Sequence, residues 1–481
     1  MKSIDVHLRI PTEHRQRAIY AFGYFATHWG RPVRYVDEAR DAHIVYGPDV
    51  PSLGIHGGRV CVPYDARSYQ ANAPCRVGSV DGRAVWGCGI NDRQTDLVGG
   101  AFRLLALLDE QQIPAGERDD LGLFHTGALP SERRRMLAEP LADNHASCLL
   151  TMACGVDTAL LEPGVPRWPH GRKAAVCVSH DTDAVRLGQT LEFITLLAKV
   201  ISRRKRAYAR ALLDSWRSFW CGGAGDPYWS FADWQSHESG QGIKSCFYLA
   251  IPPLRCGRHI HDCKSTVADR GTDWALLRSM REQGWEFGLH PAIRAGDDAG
   301  ELRAERGLIE QRLSAPVTGI RHHYLAFDQK HPWRTFRNHL EAGFDHDSSV
   351  GWRDAPGFRA GTALPYFPYD ASAEQSLPLI ELPLIIMDGH ITEGGPEAVV
   401  AASQVAERTI AAGGLLMLNW HTQGFAQSAL HSGCRNALDR VLAPLLHDSQ
   451  CWFATPGQIA RWWRDRDALV RGNDGSPPGG R

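Results

Sequence analysis

Ala174–Asp183 reads AAVCVSHDTD, an apolar run that breaks abruptly into His180, Asp181 and Asp183. Runs of the same kind recur further along the chain: KSCFYLAI (244–251), GWEFGLHP (284–291), APVTGIRHHYL (315–325), LIELPLIIMD (379–388) and GLLMLNWHT (414–422). Helical patterns such as DWALLRSMREQG (273–284) and ELRAERGLIEQRL (301–313) separate them. Repeated β-α alternation predicts a parallel sheet or barrel. In such folds the reactive side chains gather where strands end, because a rigid scaffold there presents them to a shared cleft. The polar groups of this chain lie at those ends: His180, Asp181 and Asp183, then His290, then Arg321, His322 and His323, and finally His421. Residues two apart in a strand end point to the same side, about 7 Å apart, so Asp181 and Asp183 can face one cleft. A catalytic divalent metal needs about three His or Asp ligands plus a water, and hydrolysis needs a base. The two aspartates can divide those jobs.

The chain has 481 residues, too many for one ordinary domain, and two domains is the working count. Hydrophobic residues at 43% and charged residues at 22% suit a well-packed core and exclude a disordered or fibrous chain. A formal charge of -1 offers no field for a polyanion, so general nucleic-acid binding is not expected. The N-terminal MKSIDVHLRIPTEHRQ lacks an apolar signal core, and no window reads as a membrane span, so a cytoplasmic location is the default expectation. The twelve cysteines show no CxxC pair and read mostly as reduced core residues. Cys256 and Cys263, near His259 and His261, form a metal-like cluster whose spacing fits no standard zinc module.

Residues 1–160 alternate β-like runs with amphipathic stretches, as in RPVRYVDEARDAHIVYGP (31–48) and DLVGGAFRLLALLDEQQ (96–112), and predict a smaller α/β domain. The glycines of GIHGGRV (54–60) and VWGCGIND (85–92) do not form a nucleotide fingerprint, so no chemistry is assigned to this region. LEPGVPRWPHGR (161–172) is rich in Pro and Gly and reads as a linker. The second unit is expected over 173–465, and 472–481 reads as a disordered tail. Leu191–Leu213 is apolar in its first half and ends in RRKRAYAR (203–210) before the final residues. A solvated helical lid is the favoured reading, with contact to an anionic membrane or substrate as the alternative.

SHDTD (179–183), EFGLHP (286–291), GIRHHYL (319–325), DSSVG (347–351) and LNWHT (418–422) follow the order and spacing of polysaccharide deacetylase motifs. Over about 60% of its length the chain resembles that family, carbohydrate esterase family 4. The resemblance implies a distorted (β/α) barrel, with Asp181 as base and Asp183 as metal ligand, although Thr182 separates two aspartates that are more often adjacent. It places His290 as a second ligand and puts Arg294 where a further histidine is usual. A catalytic metal wants a third protein ligand, and His323 is the replacement candidate, with His322 or His180 behind it. The resemblance also maps Arg321 to orienting the base, Tyr324 to the oxyanion side, and His421 to general acid.

The implied protein is a metal-dependent hydrolase, carrying one divalent ion, expected to be zinc, that removes an N-acetyl group from a carbohydrate or glycan precursor. An amide or imide hydrolase on a small non-carbohydrate substrate and a catalytically inactive glycan-binding protein are the alternatives. Trp333, Trp352 and Trp420 are candidates for a sugar-facing surface, with core packing as the alternative. Asp347, Arg359 and Asp370 read as pocket architecture, and His331, His339, His346 and His390 as structural. Nothing in the sequence bears on oligomeric state.

Overall fold

The structure, a computed structural model, describes residues 1–89, 94–188, 190–203, 206–221, 226–252, 254, 262, 266–268, 272–392, 395–425 and 433–472. Cys256, His259, His261 and Cys263 lie outside the described residues, as does the tail from 473 on.

The first sheet contains β1 (Ile4–Leu8), β2 (Val33–Tyr35), β3 (Ile44–Gly47), β4 (Gly54–His56) and β5 (Arg59–Pro63) in the order β2-β1-β3-β5-β4. β1 buries Ile4, Val6 and Leu8 against the helix Thr12–Trp29 that crosses over to β2. Gly57 and Gly58 both take positive φ in the two-residue turn between the antiparallel β4 and β5, the conformation that a tight hairpin of right-twisted strands demands. Those glycines serve a turn. A second hairpin, β6 (Cys75–Val80) and β7 (Arg83–Cys88), follows.

The second sheet is parallel throughout. Its strands are β8 (Ala174–Asp181), β9 (Cys246–Ala250), β10 (Glu286–His290), β11 (Gly319–Ile320) and β12 (His346–Asp347). After a short antiparallel hairpin, β13 (Tyr369–Asp370) and β14 (Gln375–Ser376), it continues with β15 (Ile380–Glu381), β16 (Ile386–Met387), β17 (Leu415–Asn419) and β18 (Cys451–Phe453). The order is β15-β12-β11-β10-β9-β8-β17-β16, with β18 also paired to β8. The edge strands β15 and β16 are consecutive in the chain and joined only by Leu382–Ile385. Four residues span at most about 14 Å, so the two edges must lie near each other and the sheet must curl. The result is a distorted (β/α) barrel with helices around it.

One apolar core fills this barrel, and β8 is buried at every position because it has neighbours on both sides and packing on both faces. The core beneath the first sheet also takes Phe327, Phe336, Val350, Tyr366, Tyr369 and Leu379 from the later part of the chain. The stretch 161–172 contains only short 3-10 turns yet is held firmly: Trp168 is fully buried and its indole N–H donates to Gly413 O at 2.9 Å.

A charge cluster around the buried His346 braces the barrel floor. His346 on β12 lies 2.5 Å from Asp345 Oδ1 and 3.4 Å from Glu286 Oε1. Its ring sits under Gly319, where a Cβ would come within 2.4 Å of Nε2. Burial alone would depress the imidazole, but Asp345 and Glu286 outweigh it and raise it to about 9. The folded pKa lies above the unfolded one, so this contribution is complete below about pH 6.5 and fades as pH rises through about 9. At the acid end the two carboxylates, both held below their usual values, lose their own contribution. His346→Gln is therefore expected to cost most between about pH 5 and 6.5, with the difference from wild type shrinking by up to about 3 kcal/mol towards pH 10. Denaturant unfolding of both proteins across that range measures it, and a pH-independent difference would assign His346 to packing alone.

Candidate active site

The strand period of two sorts the polar residues at the strand ends. On β8, Ser179, Asp181 and then Asp183 face the interior of the barrel mouth, while His180 and Thr182 face away. His180 Nδ1–H donates to Trp420 O at 2.8 Å and its Nε2 lies 2.8 Å from Glu238 Oε1 on the helix Phe231–Gln241. Thr182 stitches β8 to β9, accepting from Ala250 N–H and donating to Tyr248 O. The same alternation runs through the end of β17, where Asn419 and His421 face the mouth and Trp420 faces the helices.

Trp420, one of the expected substrate contacts, therefore contributes nothing to the cleft surface. It is fully buried and its indole N–H donates to Cys434 O at 2.8 Å. Trp352 is likewise core, packed with Ile113, Phe124 and Leu129.

Asp183 lies at the centre of the remaining groups. His290 Nε2 is 3.0 Å from its Oδ1, and His323 Nε2 and His421 Nε2 are 3.6 and 3.3 Å from its Oδ2. Asp183, His290 and His323 each offer a donor atom within 4.8 Å of the other two. His290 Nδ1–H donates to Arg321 O at 2.7 Å, which fixes the tautomer and leaves the Nε2 lone pair for the cluster. Asp183 and His421 keep 26% and 20% of their side-chain surface open, while His290 and His323 are nearly closed off. Burial alone would raise the Asp183 carboxyl, but His421, His323 and His290 hold it well below the usual carboxylate range. Two imidazoles and a carboxylate, with an open side, are a donor set that fits a divalent ion with free coordination positions.

The other expected ligands are committed elsewhere. His180 has partners at both nitrogens, and His322 Nε2 is 2.7 Å from His339 Nε2, its ring stacked on that of His339 in the interior. Arg294 lies on the turn Ile293–Asp297, exposed, and lines a separate cavity of about 570 Å³ with Arg118, Asp119 and Lys330.

Two flanking dyads complete the site. Asp181 accepts from Arg321 Nη1 at 3.1 Å and from Asn419 Nδ2 at 2.7 Å. Arg321 is fully buried and also donates to Ser179 Oγ, Ser348 Oγ and Ser348 O. Opposite it, His421 Nδ1–H donates to Asp388 Oδ1 at 2.7 Å, and Asp388 Oδ2 accepts the His421 backbone N–H. Burial works against a charged ring at His421, but Asp388 and Asp183 outweigh it and raise it well above its ordinary value. Tyr324 follows His323 directly, with φ +59°, a strained conformation for a non-glycine residue, and 40% of its surface is exposed. Arg353 lies 5.3 Å over its ring and is held by Asp119 at 2.8 Å.

Asp388, Asn419 and the Asp119–Arg353 pair are absent from the sequence-derived set. Asp388 ends LIIMD (384–388) and Asn419 precedes His421 by two, so the strand-end and period-two rules already used could have found both. Nothing in the sequence marks Asp119, which reaches the site from 234 residues away.

No family model matches the sequence, and no curated protein matches it. Solved structures are similar to it. A protein from Mycobacterium smegmatis assigned as a polysaccharide deacetylase shares 18% identity, covering 65% of this chain and 96% of its own, at a TM-score of 0.40. The chain resembles polysaccharide deacetylases. The chitin deacetylase from the fungal pathogen Colletotrichum lindemuthianum shares 11% identity over 60% of this chain and 87% of its own, with a TM-score of 0.31. PuuE allantoinase shares 14% identity over 63% of this chain and 94% of its own, with a TM-score of 0.40. Among the described residues no helix is long and apolar enough to cross a membrane.

Proposed function

We propose that this protein is a metal-dependent hydrolase that removes an N-acetyl group from a carbohydrate or glycan precursor. The observation that carries the proposal is the arrangement around Asp183: a three-donor cluster with an Arg-held carboxylate on one flank and an Asp-held imidazole on the other. Asp183, His290 and His323 would hold one divalent ion, with zinc the proposed metal among those that imidazole and carboxylate donors suit. Such an ion supplies Lewis acidity to the amide carbonyl.

The chain's own groups do the proton work. Asp181, paired with Arg321 and oriented by Asn419, takes a proton from the attacking water. His421, with its Nδ1 fixed by Asp388, delivers a proton from Nε2 to the departing nitrogen as the tetrahedral intermediate collapses. Acetate and an amine result. Tyr324, exposed beside His323, forms the substrate-side rim.

The test is metal content of wild type, Asp183→Ala and His290→Ala after exposure to zinc, cobalt or nickel, together with acetate release from N-acetylated sugars. About one ion per wild-type chain is expected, lost in both variants, with acetate from wild type only. Metal without acetate points to another amide. A wild type that takes up no ion overturns the hydrolytic mechanism.

A further inference from the structure

Between β8 and the helix Phe231–Gln241 the chain forms two paired helices, Thr190–Arg203 and Arg206–Cys221. Their inner face is anchored: Leu196 and Ala211 are fully buried with Leu187 and Tyr228, and Ser215 Oγ donates to Leu187 O at 2.8 Å. Their outer face carries Ile194, Leu197 and Ile201 on one helix and Leu213, Trp216 and Trp220 on the other, all exposed. Both triplets have the spacing i, i+3, i+7, so each forms one continuous stripe. Trp220 exposes 74% of its surface and Trp216 53%. Contiguous exposure of large apolar side chains is uncommon on soluble proteins and marks an interaction surface.

We propose that this helical pair docks the protein on a bilayer that contains anionic lipid. The charge of the segment selects that occupant. From Thr190 to Cys221 the sequence has seven Lys or Arg and two Asp or Glu, a net +5, in a chain whose total is -1. Among these, Arg210 and Arg217 are exposed beside the apolar stripe. Apolar residues with tryptophan on a helix flanked by basic groups are the chemistry of the lipid interface, where rings enter the headgroup region and cations meet phosphates. A second copy would set two such cationic segments face to face and repel. The segment begins seven residues after Asp183, so docking places the membrane on the chain segment that leaves the candidate active site.

The inference is independent of the proposed reaction and is tested without it. Full-length protein is sedimented with vesicles of equal phosphatidylglycerol and phosphatidylcholine, and with vesicles of phosphatidylcholine alone. Binding to the anionic vesicles is expected at low salt, reduced by added salt and at least about tenfold weaker for the double variant Trp216→Glu, Trp220→Glu. Arg210→Glu with Arg217→Glu is expected to weaken the anionic binding separately, and circular dichroism checks that both variants keep the wild-type helix content. The docking assignment is overturned if wild type stays in the supernatant, if the tryptophan variant binds as wild type does, or if self-association replaces vesicle binding. Equal binding to phosphatidylcholine alone overturns the anionic-lipid assignment.

Discussion

Asp181→Asn is expected to lower turnover by about a thousandfold while metal content and fold persist, within the range that positioned acid–base groups contribute. The substitution keeps the shape of the side chain and removes only its charge and basicity. In the wild type Asn419 donates Nδ2 to Asp181 Oδ2, and its own Oδ1 has no partner among the described residues. Rotating the Asn419 amide turns that oxygen towards the amide introduced at position 181, so the hydrogen bond survives with donor and acceptor exchanged. Arg321 loses a buried counter-charge but keeps Ser179 and Ser348 as acceptors, which limits the loss of stability to about 1–3 kcal/mol. Turnover, metal content and an unfolding curve on one preparation separate the effects. If the variant kept more than about a tenth of wild-type turnover, Asp181 would not be the base, and its pairing with Arg321 would be scaffolding.

What made the candidate site legible in sequence was the coincidence of strand-length apolar runs with polar strand ends. Strand-length apolar runs located the barrel strands, and polar residues at their ends pointed to one rim; Asp181, Asp183, His290, Arg321, His323 and His421 all meet there. The same period-two rule, carried one residue further, separates Trp420 from Asn419 and His421. An aromatic next to a reactive histidine suggests a substrate contact, but a strand turns adjacent side chains to opposite faces, and Trp420 faces the helix Cys434–Leu442. The same rule turns His180 away from the mouth, but the choice between His322 and His323 had no local signal. It depends on which ring is already engaged, and that follows from His339, which the sequence pattern does not link to His322.

The reach of the first 160 residues was not legible at all. Pattern reading predicts their β-α alternation, and the sheet β2-β1-β3-β5-β4 shows it. It cannot predict that Asp119 holds Arg353 over Tyr324. Tyr24, too, donates to Asp143 and pairs with the Thr362 hydroxyl, joining segments far apart in the chain. Such contacts are set by how stretches distant in the chain pack together, and a single sequence carries no periodicity for that.

Glu110→Ala is expected to cost about 3–5 kcal/mol, the largest stability loss among these predictions. Glu110 lies on the turn Leu108–Glu110 and grips Arg359, from the loop before β13, in two places: Nε to Oε1 at 3.0 Å and Nη2 to Oε2 at 2.7 Å. Both side chains are almost wholly buried, Arg359 at 2% and Glu110 at 4% exposure. Arg359 is further enclosed by Phe327, Trp352 and Phe124, with its guanidinium 4.7 to 5.6 Å from their rings. Without Glu110 the cation stays in that aromatic cage with the Gly351 carbonyl as its remaining close acceptor among the described residues. Removing both partners is a different matter: Glu110→Leu with Arg359→Met exchanges the pair for apolar volume, and most of the loss is expected to return. Denaturant unfolding of the single and double variants measures this directly. Because the core beneath the first sheet also includes Tyr366, Tyr369 and Leu379, the single variant should lower the midpoint of one shared transition. A separate early transition, leaving the parallel barrel intact, would mean that Glu110 and Arg359 only fasten two units that fold independently.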